Sequence, residues 1–87
     1  MDKLTKKEFQ RLSLNKRLQL LEAHGEHIAG RQKSIHIIHL FSIYNFYVEV
    51  WILLSFNEIQ WIEIQENNSV LESYLDNIDI KKHLDFD

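Results

Sequence analysis

Cysteine is absent from the chain, which removes both a disulfide framework and any thiolate zinc site as a source of rigidity. Proline is absent too, so no strand edge is blunted by a missing amide. Only two glycines occur, Gly25 and Gly30, both inside "GEHIAGRQK". Two glycines in one short segment exclude a phosphate-cradling glycine loop, and none of the serines has the glycine-flanked elbow of a hydrolase nucleophile. Between Ser34 and Asp79 there is no Lys or Arg. After "MDKLTKKEFQRL" there is no apolar stretch of the signal-peptide kind, and this together with the missing cysteines sets the expected compartment as cytoplasmic.

What remains suits one small domain spanning 1–87. Of 87 residues, 45% are hydrophobic and 26% charged, the balance of a folded chain rather than a disordered one. The net charge of −3 hides a polarity: residues 1–33 carry eight Lys/Arg against four acidic residues, and residues 34–87 carry two against nine. The basic half can meet an anionic partner, or the halves can attract each other within the fold.

The stretch "FSIYNFYVEVWILLSF" has a single formal charge, Glu49, and reads as a membrane span, a buried helix or strands. A span needs about 20 apolar residues. Extension back to Ile35 reaches that length, but the span then contains His36, His39, Asn45 and Glu49, each needing a partner in hydrocarbon. Alternation with period two explains the same residues without that cost: Phe46, Val48, Val50, Ile52 and Leu54 fall on one side, Tyr47, Glu49, Trp51 and Leu53 on the other. Strands are therefore expected at about 34–43, 46–54 and 58–65, reversing at Tyr44-Asn45 and Ser55–Asn57, with a bulge near Trp61–Ile62 where parity slips.

Ahead of the sheet, Thr5 and Glu8 have capping-box spacing and open a helix over about 6–12. Ser13 caps a second over 14–24, where Leu14, Leu18 and Leu21 share a face and Gly25 supplies a left-handed stop. "GEHIAGRQK" is expected as loop. Ser69 and Glu72 repeat the capping-box spacing before a helix over 70–76, and Asp79 caps a turn over 80–84. The expected fold is α+β in two layers: two N-terminal helices, a three-stranded antiparallel meander and a C-terminal helix.

With "FQRLSLNKRLQLLEAHGEHIAGR", "LFSIYNFYVEVW" and "SVLESYLDNIDI", the chain resembles a group of short bacterial α+β proteins without an established activity. The resemblance implies the fold and assigns no catalytic residue.

No constellation of side chains points to an enzyme, a cofactor or a metal. His24 and His27 straddle Gly25, and His36 and His39 fall on opposite faces of a strand. Glu49, between Val48 and Val50, is a candidate acid only if buried. Without a second group and a pocket it reads as an outer-face residue, where Glu49→Lys would cost about 1 kcal/mol or less. Lys3, Lys6, Lys7, Arg11, Lys16 and Arg17 form a candidate basic patch for nucleic acid, in a chain that is acidic overall.

The favoured reading is a non-catalytic protein-interaction module whose partner surface comprises Tyr47, Glu49, Trp51 and Trp61, unless the C-terminal helix folds over that face. The alternatives are a nucleic-acid accessory domain and an inhibitor or immunity-type protein. Unprotected sheet edges add the expectation of a homodimer.

Overall fold

The computed structural model describes residues 3–77. Its order is α1 (Lys6–Gln10), α2 (Leu14–His24), β1 (Glu26–Lys33), β2 (His36–Ile43), β3 (Phe46–Leu53), β4 (Glu58–Ile64), α3 (Asn68–Ser73) and a 3-10 turn, Tyr74–Asn77. The four strands form one sheet in the order β1-β2-β3-β4, every neighbour antiparallel.

The N-terminal helices start where their side chains satisfy free amides. The Thr5 hydroxyl accepts from the Glu8 amide at 3.2 Å, and the Glu8 carboxylate accepts from the Thr5 amide at 2.9 Å. Ser13 accepts from the Lys16 amide at 3.2 Å. At the end of α2, Gly25 is extended (φ −82°, ψ 157°) and not left-handed. Its lack of a side chain matters for space instead, because a Cβ there would lie 2.7 Å from the Leu21 carbonyl oxygen.

That extended exit leads into the largest departure from the sequence reading. "GEHIAGRQK" is almost entirely a strand, β1, and the sheet has four strands instead of three. An edge strand needs little apolar patterning, and of its eight residues only Ala29 is buried. Gly30 lies opposite His39, and a Cβ there would stand 3.5 Å from Nδ1 of that imidazole, an ordinary contact, so the strand does not demand glycine here. A register shift between His27 and Ala29 bulges out Ile28. Ser34, Tyr44 and Asn57 take positive φ (57°, 56° and 54°) in the three turns joining the strands.

The parity of β3 is as the alternation implies. Phe46, Val48 and Val50 pack under α1 and α2 with Phe9, Leu21, Ile43 and Ile62, and the Phe9 ring meets Phe46 edge-on at 5.6 Å. The bulge of β4 sits one step earlier than expected. Ile59 pairs with Ile52 and Trp61 with Trp51, leaving Gln60 as the extra residue, so Trp61 and Ile62 take opposite faces.

The C-terminal helix also starts earlier than its serine suggests. Asn67 is the cap, its side-chain oxygen accepting from Ser69 at 2.8 Å and Val70 at 3.2 Å, while Ser69 lies inside α3. Helix α3 and the 3-10 turn cover the sheet face opposite α1 and α2, where Ala29, Leu40 and Tyr74 form a second core with Val70 and Leu71. Helices thus lie on both faces of the sheet, three layers in place of two. The turn expected over 80–84 and its Asp79 cap lie outside the described residues.

Candidate functional site

Strand register fixes what the α3 face presents. Ala29, Leu40, Glu49 and Glu63 form one row across the four strands, and Arg31, Ile38, Trp51 and Trp61 form the next. The first row holds a buried polar cluster and the second an aromatic platform.

Glu49 is 0% exposed, which corrects its assignment to an outer, solvated face. Its carboxylate accepts from Arg31 Nη2 at 3.1 Å, from Gln65 Nε2 at 2.9 Å and from the Tyr74 hydroxyl. Arg31 Nε also donates to the Tyr74 oxygen at 3.1 Å, closing a triangle. Burial pushes the Tyr74 phenol well above its ordinary pKa, and its bond to Glu49 pushes it further. Burial alone would lower the Arg31 pKa; the bonds to Tyr74 and Glu49 more than offset this and raise it. Every acceptor oxygen of Glu49 is engaged and water is excluded, so Glu49 anchors the fold and is not open to a partner.

The sequence singled out Glu49 but none of its partners. One signal was present: with no Lys or Arg from Ser34 to Asp79, a buried Glu49 has to draw its cation from outside that span, and Arg31 is among the nearest candidates.

Tyr47, Trp51 and Trp61 do share this face, divided by the Glu49 cluster. Tyr47 is 42% exposed and borders a groove of about 300 Å³ with Ile28, Leu40, Leu71, Tyr74 and Leu75. On the other side, Trp51 and Trp61 stack with ring centroids 4.8 Å apart at 24°. His36 packs on both indoles at 5.4 and 5.3 Å and is held by Gln60, 2.7 Å from its Nε2. The Arg31 guanidinium lies 5.8 Å from the Trp51 ring centre. Glu63 stands opposite Glu49 on the edge strand; partial burial, then the Glu49 charge, raises its pKa. Trp51 Nε1 lies beside the Glu63 carboxyl but makes no hydrogen bond of good geometry. A separate apolar patch lies at the sheet end, where the turns expose Ile35, Leu54 and Phe56.

The sheet face under α1 and α2 holds a histidine pair, His27 and His39. His27 Nε2 and His39 Nδ1 are 3.0 Å apart, and His39 has a lowered pKa, first from partial burial and then from His27. No group of three His, Cys, Asp or Glu side chains fit to hold a metal occurs among the described residues.

The basic patch is partly consumed by the fold. Lys6 pairs with Glu66 at 2.7 Å. Arg17 donates to the carbonyls of Ile62 at 2.5 Å and Gln10 at 2.6 Å, and stands 6.0 Å from the Phe9 ring centre. The β2 edge, whose lack of cationic residues motivated a dimer, is covered by β1, which brings Arg31 and Lys33. No described helix is long and apolar enough to cross a membrane.

No family model, no curated protein and no solved structure matches this chain, so the residues alone carry the functional argument.

Proposed function

We propose that the chain is a non-catalytic protein-interaction module that presents the Trp51–Trp61–His36 platform to a protein partner. The observation that carries this reading is the stacked, half-buried indole pair formed between β3 and the edge strand β4. Indoles are large, rigid and amphipathic, and they dominate interface energies when a partner completes their burial. Here their positions are fixed from beneath, because Trp51 lies between the stacked Trp61 and the anchored Arg31. A partner would find the surface already organised and would lose little conformational freedom in meeting it.

The test compares immobilised wild type with Trp61→Ala in lysate of the source cells. Expected is a protein retained by the first and lost from the second, with the two melting within a few degrees of each other. An identical retained set would show that the platform is not the contact surface.

A further inference from the structure

The platform carries a second feature that bears on what it meets. In β3, Glu49 and Trp51 stand two residues apart on one face, and the chain's own Arg31 completes them: its guanidinium pairs with the carboxylate and lies over the indole. In β4, Trp61 and Glu63 repeat the arrangement, again two residues apart on that face and in register with Trp51 and Glu49. Here no Lys or Arg pairs with the carboxylate among the described residues, whose other side-chain ion pair is Lys6–Glu66. The strand is the sheet edge, so no further strand shields the pair.

Resting on the interaction reading above, we propose that the Trp61–Glu63 pair receives an arginine or lysine from a basic segment of the partner protein. That side chain would occupy, at the edge, the place that Arg31 occupies over Trp51. Four observations converge on a cation. An indole face attracts it through its quadrupole. The Glu63 carboxylate lies near the buried Glu49 charge, and an added cation relieves that unfavourable proximity. Glu58 shares the face and adds a second negative charge along the strand. Residues 34–87, which supply every member of the platform, hold nine acidic residues against two basic ones. Opposite charge also speeds encounter, an effect that falls as salt rises.

The experiment uses the full chain and three probes of equal length: an Arg/Lys-rich peptide, an acidic peptide and a neutral Gln/Ser peptide. Indole N–H resonances of Trp51 and Trp61 report binding. Expected is that only the basic peptide shifts them, that its affinity falls steeply between low and physiological salt, and that Glu63→Gln weakens it about two- to fivefold. Glu63→Gln should leave the melting temperature unchanged or raise it, since one of two facing carboxylates is neutralised; this separates lost binding from lost folding. Failure of the basic peptide to shift the indoles, or binding indifferent to salt and to Glu63→Gln, would overturn the cation assignment. A lysate protein still lost on Trp61→Ala but kept on Glu63→Gln would do so while leaving the interaction reading intact.

Discussion

Replacing Glu49 tests the core of the structural argument. At 3.1 Å from Arg31, the Coulomb attraction is ~5 kcal/mol at an effective dielectric constant of about 20, before desolvation is subtracted. Removing one member of a buried ion pair costs about 3–5 kcal/mol, chiefly because the other is left uncompensated. The Arg31 side chain is 19% exposed and can recover some water, which places Glu49→Gln near the lower end, about 3 kcal/mol. A domain of this size has roughly 4–13 kcal/mol of stability, so the variant should still fold. Its melting temperature should fall by about 12–24 °C, at roughly 4–8 °C per kcal/mol. Glu49→Lys should do worse, setting a second cation against Arg31, and should match Val48→Asp on the opposite, equally buried side. Replacing both partners, Arg31→Met with Glu49→Met, should recover much of the loss, because the penalty lies in the orphaned charge. Urea titrations of the four variants supply the free energies. A cost below about 1 kcal/mol for Glu49→Gln, or a double variant no better than the single, would refute the view that this pair is buried and coupled.

Two further outcomes follow from the same geometry. Tyr74→Phe removes the hydroxyl through which the C-terminal segment bonds Glu49 and should cost about 1–2 kcal/mol. Because α3 has no fully buried residue of its own, hydrogen exchange should accelerate at Leu71 and its neighbours more than in β3; equal acceleration in both would refute α3 as a separately opening unit. His39 should titrate below the usual histidine value by NMR, and His27→Ala should move it up only partly, since burial remains. A lowered folded pKa means the unfolded chain takes up protons first, so this contribution to stability is present above about pH 6.5 and is lost as pH falls toward the folded value. A normal His39 midpoint would contradict the partial burial of that imidazole and its contact with His27.

How much of this was legible in the sequence depends on whether a residue's role was set by its neighbours along the chain or across the sheet. The capping of α1 by Thr5 and Glu8 is a contact over three residues, and spacing alone carries it. The two faces of β3 follow from strand geometry, so Val48 and Glu49 could be separated without knowing what covered either. β1 was missed because an edge strand with one buried alanine has no alternation to read, and because Gly25 and Gly30 in one short segment suggest a loop. Glu49 was misread for the opposite reason. Its side was assigned correctly, but a charge on a non-core face was taken as solvated, and its partners come from 18, 16 and 25 residues away. Tyr74 is in the sequence only one position of the helix expected over 70–76; its hydroxyl, bonded to Glu49, attaches the C-terminal segment to the sheet. The platform shows the same division: Trp51 and Trp61 were named individually, yet their stacking depends on Gln60 bulging out of β4. Were β4 regular from the Ile59–Ile52 pair onward, Gln60 would stand opposite Trp51 and Trp61 opposite Val50, on the same face as Ile59, and the indole pair would be lost. The bulge is therefore the step by which a patterned strand becomes a defined surface, since a one-residue shift decides which side chains share a face.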